Sequence, residues 1–350
     1  MSDNSIPPDF PSELQLSSDP AVQQLAILLW RAHHHTRAEL CSALAANSSA
    51  ELSTVAMEAE TDTLFRVDEI AEHVLLDFFD QNQDQAPPFL LVGEFATGDS
   101  LSFGHGEPQY RILLDPIDGT RMMMHGKASG WILSGIFPEK GERTRLAEAI
   151  FALQTEVPLL KHRLAETLWA ARGAGAYRRV EDLVTRHANI TALHNDPHDK
   201  LVHSFVSFVN LFPRGKQAIA EIEETFLDEV LKQHHDAGSL VYEDQHLSTG
   251  AQLYDLIQGK TRMVVDIRPA LNLQWRQRRE PTVLCAHPYD LCTWLIAQEA
   301  GAVVRVPDGH DFDGSASATA EVGWIGFSNL SLYTQHSKTL FTTLRQFHLI

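Results

Sequence analysis

The sequence contains few cysteines, no excess of basic residues and no long uninterrupted apolar run. Cys41, Cys285 and Cys292 form no Cys-x-x-Cys pair and no zinc-ligand spacing, so neither a disulfide framework nor a zinc site is expected, and the thiols predict a cytoplasmic protein. The first twenty residues carry acids and prolines without a basic start and an apolar core, so no secretory signal is expected. The longest apolar stretch, residues 201–212, is broken by polar side chains, which argues against a membrane span.

The charge of the chain is strongly negative. Lysine and arginine number 28 against 46 aspartates and glutamates, which gives a formal net charge of −18. Long-range repulsion then predicts no general affinity for nucleic acid or for an anionic membrane surface. An anionic substrate is not excluded, because a bound divalent cation reverses the local field.

The length of 350 residues and the hydrophobic content of 44% suit two domains or one large α/β unit. We predict a flexible arm over residues 1–19, an N-terminal α+β domain over residues 20–185 and a C-terminal α/β domain over residues 186–350. The boundary is placed in the segment 180–200 because that segment is polar and rich in turn-forming residues.

Hydrophobic periodicity predicts helices and strands along most of the chain. The predicted helices of the first half cover residues 20–46 and 52–79, and the three histidines at 33–35 are expected on a solvated face of the first one. The predicted strands of the first half cover residues 88–95, 110–118, 130–137 and 147–154, followed by two short strands around a glycine turn within 166–179. Beyond residue 200 strands and helices alternate, and one helix is predicted over residues 288–301.

The segment with the clearest chemical meaning is Asp115-Pro116-Ile117-Asp118-Gly119-Thr120. A buried strand is expected to stop at Pro116, which has no N–H to donate, so that both aspartates converge across a turn. Two close carboxylates are unfavourable without a cation, and oxygen ligands select Mg²⁺, Mn²⁺ or Ca²⁺ rather than zinc. A helix beginning at Thr120 would add an anion site. Taken alone, the segment is equally compatible with a plain turn between strands.

Five segments in order resemble the inositol-monophosphatase-like superfamily of metal-dependent phosphatases. They are residues 61–72 with Asp68, residues 91–95 with Glu94, the hexapeptide 115–120, the glycine turn within 166–177, and residues 287–309 with Asp290. The resemblance spans roughly residues 62–329, and its most specific part is the hexapeptide.

The resemblance implies a layered αβαβα sandwich, usually dimeric, with two or three Mg²⁺ ions where its two halves meet. By position, the implied metal ligands are Glu94, Asp115, Asp118, the carbonyl of Ile117, and Asp290 from the second domain. Thr120 and Asp68 are implied to orient and deprotonate the attacking water, with Glu94 also counted as catalytic. The amides of Gly119 and Thr120 are implied to hold the phosphate. Without the other segments, Asp290 would be interpreted as an acid at a helix start.

Other positions depart from the family pattern or match it weakly. Phe95 replaces the second acid of a usual pair, and residues 121–125 replace an asparagine and an aromatic residue. Ser248, Gly250 and Asp266 match positions that would line the hydroxyl-bearing half of a substrate pocket. Residues 268–283 form an insertion whose arginines either bind a second phosphate or cover a loop.

The function implied is a Mg²⁺-dependent phosphomonoesterase in which a metal-activated water attacks a small soluble phosphate ester, with Mn²⁺ as a substitute. Inositol phosphate, fructose bisphosphate and nucleotide 3′-phosphate remain open as substrates, and a homodimer is expected. One alternative is a catalytically silent family member that binds a sugar phosphate or acts as a regulator. Another is a structural α/β protein that contains the hexapeptide by chance.

Overall fold

A computed structural model describes residue 17 and residues 19–58, 63–95, 100–233 and 240–350. Within these residues the chain forms nine α-helices and fifteen β-strands. The helices are α1 (Pro20–Ala46), α2 (Ser49–Leu52), α3 (Arg66–Asn82), α4 (Thr120–Met124), α5 (Lys216–Leu231), α6 (Thr249–Ile257), α7 (Arg268–Gln277), α8 (Trp294–Ala300) and α9 (Leu330–Gln346). The strands are β1 (Val55–Glu58), β2 (Thr63–Phe65), β3 (Phe89–Gly93), β4 (Ser100–Phe103), β5 (Tyr110–Asp118), β6 (Gly130–Pro138), β7 (Phe151–Val157), β8 (Leu164–Ala171), β9 (Ala176–Asp182), β10 (Ala188–Leu193), β11 (Ser204–Phe208), β12 (Val241–Tyr242), β13 (Thr261–Asp266), β14 (Val303–Arg305) and β15 (Trp324–Phe327). The predicted arm over residues 1–19 lies outside the described residues, apart from Ser17 and Asp19.

The elements stack in five layers, and this αβαβα sandwich confirms the predicted fold class. One sheet has eight strands in the order β10-β9-β8-β7-β6-β5-β3-β4, and the other has five in the order β12-β11-β13-β15-β14. Helices α1 and α3 cover the outer face of the eight-stranded sheet, and α5 and α9 cover the outer face of the five-stranded sheet. Helices α6 and α8 lie between the two sheets and contact both.

The hydrophobic core between the sheets fixes these two helices. Leu133 and Leu168 of the eight-stranded sheet pack in one cluster with Trp294 of α8 and Val264 of β13. A helix buried on both sides loses apolar contacts with either sheet if it shifts, so α6 and α8 hold the two halves in register. Within the described part of the chain, no helix is both long and apolar enough to cross a membrane.

The predicted helix over residues 52–79 is wrong in its first part. Helix α2 ends at Leu52, and the hydroxyls of Ser53 and Thr54 bond the carbonyl of Ala50 at 3.4 and 3.2 Å. Such side chains compete with the helical ladder, so the chain leaves the helix there and forms β1 and β2. The helix α3 then starts only at Arg66.

The histidines at 33–35 also differ from the prediction. His33 is fully buried, and its Nδ1 lies 3.1 Å from the hydroxyl of Thr155 on β7, whereas His35 is exposed. Helix α1 packs directly on the strands of the sheet, so the helical turn that carries the histidines points one of them inward.

The proposed domain boundary at 185/186 falls between β9 and β10, which are antiparallel neighbours in the eight-stranded sheet. A division after Leu193 would keep this sheet whole, and we propose it instead.

The strand predicted over 147–154 begins later, at Phe151, because a 3₁₀ turn occupies Leu146–Glu148. The insertion at 268–283 contains the helix α7, which the periodicity did not reveal.

Candidate metal centre

An open cavity of about 100 Å³ lies at the ends of β3 and β5, where the two halves of the molecule meet. Its first-half wall includes Asp68, Glu94 and the hexapeptide residues Asp115 and Ile117 to Thr120. Its second-half wall includes residues 247–249, Arg268, residues 284–287, Tyr289 and Asp290. The cavity therefore collects acids from distant parts of the chain.

The strand β5 covers the residues 110–118 that the periodicity predicted, and so it continues through Pro116, where the missing N–H of proline was expected to end it. Its register with β6 shifts, because Asp115 lies opposite Leu133 and Asp118 opposite Trp131. Three steps on β5 thus match two steps on β6, which is a β-bulge. In a regular strand, residues three apart point to opposite faces. The extra residue brings both aspartates to the same side.

Glu94 reaches the site from β3, the parallel neighbour of β5. Gly93 lies opposite Leu114, and a Cβ on Gly93 would come within 2.0 Å of the Leu114 carbonyl oxygen. Only glycine allows the chain to pass β5 at this distance. Glu94 therefore lies beside Asp115 on the cavity wall, and its charge contributes to the raised pKa of Asp115.

Asp290 belongs to a turn and not to the start of a helix. Its carboxylate Oδ2 accepts the N–H of His287 at 2.6 Å, while α8 begins only at Trp294. The predicted helix over 288–301 is therefore wrong for its first six residues. The bond from the His287 N–H to the Asp290 carboxylate closes a short turn instead, and this turn directs the carboxylate into the cavity.

Three carboxylates converge at this point. Asp115, Asp118 and Asp290 each offer an oxygen within 4.8 Å of the others, and the first two side chains are buried. Burial raises the pKa of all three carboxyls; repulsion from neighbouring acids adds to the shift for Asp115 and Asp290, and the pKa of Asp118 rises to about 6. Neighbouring buried acids repel one another unless a cation lies between them, so this donor set fits a hard divalent ion such as Mg²⁺.

Thr120 and Asp68 form a pair on the same cavity wall. The Thr120 hydroxyl donates to Asp68 Oδ1 at 2.7 Å and lies 2.9 Å from the carbonyl oxygen of Ile117. The other oxygen of Asp68 accepts the N–H of Phe65 at 2.7 Å, which fixes the carboxylate at the start of α3. Gly119, at φ +89°, makes the turn that starts α4 at Thr120.

Comparison with solved structures identifies the architecture, whereas no protein-family model and no curated protein sequence matches the chain. The fructose-1,6-bisphosphatase of Leishmania major superposes with a TM-score of 0.67 at 11% sequence identity, over 94% of this chain and 96% of that one. The chain has the inositol monophosphatase fold. An inositol monophosphatase from Anabaena gives 0.57 at 15% identity over 93% of this chain and 96% of that one. A Pyrococcus horikoshii protein described as similar to inositol-1 monophosphatase gives 0.56 at 21% identity, over 92% and 97%. At these identities the likeness concerns the fold and not the activity.

Within this inositol monophosphatase fold, two of the three predicted pocket residues contact Asp118, one of the converging acids. The hydroxyl of Ser248 donates to Asp118 Oδ2 at 2.9 Å, and the N–H of Gly250 donates to the same oxygen at 2.6 Å. Ser248 also lines the cavity. Both residues belong to the start of α6, so the second half of the molecule holds an acid of the first half.

Asp266 lies elsewhere. It is fully buried behind the cavity wall, and both of its carboxylate oxygens bind the guanidinium of Arg268 at 2.8 and 2.6 Å. Arg268 lines the cavity and also donates to the carbonyl of Leu284 at 2.8 Å. An arginine therefore stands at the cavity where the sequence predicted an acid. The sequence signal that was missed is an Asp-x-Arg step directly after a buried strand.

Two further residues on the cavity wall escaped the sequence prediction. The rings of His287 and Tyr289, in the turn that presents Asp290, stack with their centroids 5.2 Å apart. Their positions follow from the turn geometry, and no motif in the sequence indicates it.

Proposed function

We propose that the protein is a Mg²⁺-dependent phosphoric monoester hydrolase acting on a small phosphate ester, such as an inositol or sugar phosphate. The observation that carries the proposal is the meeting of Asp115, Asp118 and Asp290 within 4.8 Å on the cavity that also contains the Thr120–Asp68 pair. Converging acids need a cation, and a hydroxyl held by a carboxylate beside a cation site suits the positioning of water.

The residues that would hold two or three ions are Glu94, Asp115, Asp118, Asp290 and the carbonyl of Ile117. When bound, Mg²⁺ supplies neutralisation of the phosphate oxygens and lowers the pKa of water, and Mn²⁺ would substitute for it. The N–H groups of Gly119 and Thr120, at the start of α4, would bind the phosphate oxygens.

Thr120 would orient the attacking water and accept its proton while passing its own hydroxyl proton to Asp68, the carboxylate it already bonds. The water oxygen then bonds to phosphorus as the ester P–O bond breaks; the leaving alkoxide takes a proton from solvent water, and Asp68 returns its proton to solvent. Direct in-line attack inverts the configuration at phosphorus and forms no covalent enzyme intermediate. A protein that only binds sugar phosphates would need the acids but not this hydroxyl–carboxylate pair.

The cavity wall bears on the choice of substrate. Arg121 and Arg268 both line the cavity, opposite in charge to its acids. Arginine binds phosphate and carboxylate groups with a planar fork of donors. Inositol phosphate, fructose bisphosphate and nucleotide 3′-phosphate all remain candidates. Arg121 favours those with a second anionic group, whereas the donor fork of Arg268 already binds Asp266. We propose that the enzyme acts as a cytoplasmic homodimer.

The test is phosphate release from a panel of inositol, sugar and nucleotide phosphates with and without Mg²⁺. We expect EDTA to abolish release, Mg²⁺ to restore it fully, Mn²⁺ to restore it in part and Ca²⁺ to inhibit. Full activity in a rigorously metal-free sample would refute the mechanism. No release from any ester of the panel, with Mg²⁺ binding intact, would favour the silent binding protein.

A further inference from the structure

Gln154 on β7 is a buried polar residue whose amide is bound at both ends. The side chain is 2% exposed and faces the layer between the two sheets. Its Nε2 donates to the carbonyl of Gly250 at 2.9 Å, and its Oε1 accepts the hydroxyl of Thr293 at 3.2 Å. One amide of the first half therefore binds two separate segments of the second half.

Each of these segments carries a contact of the metal centre. Gly250 lies in the first turn of α6, where its own N–H binds Asp118 Oδ2. Thr293 follows three residues after Asp290 and directly precedes α8. The Gln154 amide thus lies between the group that holds Asp118 and the turn that presents Asp290.

The same two segments touch the neighbouring strand β6 with little space. A Cβ on Gly250 would come within 2.7 Å of a Leu133 methyl group, and a Cβ on Gly135 would come within 2.7 Å of the Cys292 carbonyl oxygen. Close packing fixes the distance of both segments from the sheet. Close packing does not fix the position of the two segments along the sheet, which depends on directional contacts such as hydrogen bonds. Gln154 makes one hydrogen bond to each segment.

We propose that Gln154 is a positioning residue of the metal centre, which holds the start of α6 and the Asp290 turn at the separation that brings Asp118 and Asp290 together. The expected effect of Gln154 on phosphate release rests on the phosphatase function proposed above. Its expected effect on metal affinity does not depend on catalysis. Outer contacts that orient metal ligands are typically worth roughly 10–100-fold in affinity or activity.

The experiment compares Gln154→Met with Thr155→Val. Methionine keeps the length and shape of the glutamine side chain but donates and accepts no comparable hydrogen bond. Thr155 is the next residue of β7, is equally buried, and bonds His33 on the opposite face of the sheet, so its variant removes a buried hydrogen bond far from the cavity. For both variants we would measure Mn²⁺ affinity by electron paramagnetic resonance, the melting temperature in EDTA, and phosphate release as a function of Mg²⁺.

We expect Gln154→Met to weaken Mn²⁺ binding by roughly 10–100-fold and to raise the Mg²⁺ concentration needed for half-maximal release by a similar factor. Thr155→Val should lower the melting temperature to a comparable extent and leave Mn²⁺ affinity unchanged. Thr293→Val should reproduce part of the loss of Mn²⁺ affinity. Thr293→Ser keeps the hydroxyl and should bind Mn²⁺ as the wild type does.

Wild-type Mn²⁺ affinity in Gln154→Met would overturn the inference, whatever its melting temperature. If that variant fails to fold, equal Mn²⁺ affinity in Thr293→Val and Thr293→Ser would overturn it instead. A wild-type protein that binds Mn²⁺ but releases no phosphate would refute the proposed function alone, since the Mn²⁺ comparison still decides the role of Gln154. A wild-type protein that binds no Mn²⁺ would refute both.

Discussion

The acids of the candidate metal centre come from two regions that are brought together by different physical means. Asp115 and Asp118 belong to β5, and Glu94 directly follows β3, the strand hydrogen-bonded to β5 in the same sheet. Their convergence follows from a glycine and a bulge within a short stretch of backbone. Asp290 is in a turn of the second half and reaches the same point only through tertiary packing.

This difference helps to distinguish a structural role of these acids from a role in binding a cation. The β5 acids could be explained locally, as residues of an irregular strand end. Asp290 has no strand partner near Asp118, and burial together with repulsion from Asp118 and Glu94 raises the pKa of its carboxyl. A buried repulsive contact of this kind persists when the site serves a cation. Changes at Asp290 should therefore distinguish the metal centre from a structural interpretation most strongly.

The largest effect is expected for Asp290→Asn. Asparagine keeps an oxygen that accepts the His287 N–H, so the turn should survive, but one ligand charge is lost. We expect phosphate release to fall by roughly 10⁴-fold or more, since enzymatic accelerations typically exceed 10⁶-fold and depend on the intact site. The melting temperature in EDTA should stay the same or rise, because a repulsive charge has been removed.

The matched control for this variant is Asp313→Asn. Asp313 also accepts backbone N–H groups, those of Ala147 and Gly314, and pairs with Arg145 on the surface. Its variant should keep full activity. Unchanged phosphate release in Asp290→Asn would refute a site built from both halves, even if the hexapeptide proved essential.

The sequence predicted the first region much better than the second. The hexapeptide indicated Asp115, Asp118 and Thr120 because their neighbourhood is local, and helix α1 follows its apolar periodicity from Pro20 to Ala46. The bulge that continues β5 past Pro116 depends on pairing with β6, which periodicity does not show.

In the second half, position alone was a poor guide to contacts. Asp266 matched a pocket residue but is buried against Arg268, and the cavity receives the arginine instead. Ser248 and Gly250 bind Asp118 across the join between the two halves, a contact that no local pattern encodes. Gln154 is an ordinary strand residue until both of its partners are known.

A smaller effect is expected for a change confined to the first region. Thr120→Ala should keep the fold and metal binding and lower turnover by roughly 10²–10⁴-fold, the range for losing a positioned proton acceptor. Thr120→Ser keeps the hydroxyl that bonds Asp68 and should retain most of the activity. The measurement is turnover at saturating Mg²⁺ together with Mn²⁺ affinity. Wild-type turnover in the alanine variant would remove Thr120 from the catalytic residues.

The smallest effect concerns stability without metal and tests whether the two regions repel each other when no cation is bound. Burial raises the pKa of Asp118 to about 6, and burial together with repulsion from neighbouring acids also raises the pKa values of Asp115 and Asp290. An acid whose pKa is higher in the folded than in the unfolded state stabilises the fold while it is protonated. That stabilisation is lost as the pH rises through the folded-state pKa. In EDTA, the acids should therefore destabilise the protein between about pH 4 and 7.

Other buried groups titrate over the same range in the opposite sense. Burial lowers the pKa of His33 and His34, so their contribution to stability improves as the pH rises. The quantity to measure is therefore the difference in unfolding free energy between the wild type and Asp118→Asn in EDTA, because the contributions of groups that do not interact with Asp118, such as these histidines, cancel. From pH 4 to 7 the wild type should lose on the order of 2 kcal/mol relative to the variant, each pKa unit being worth about 1.36 kcal/mol. Saturating Mg²⁺ should reverse the sign at pH 7, because only the wild type keeps the full ligand set. A difference that stays constant with pH in EDTA would show that the acids of the two regions do not repel one another in the folded protein, and the case for a cation between them would lose its electrostatic basis.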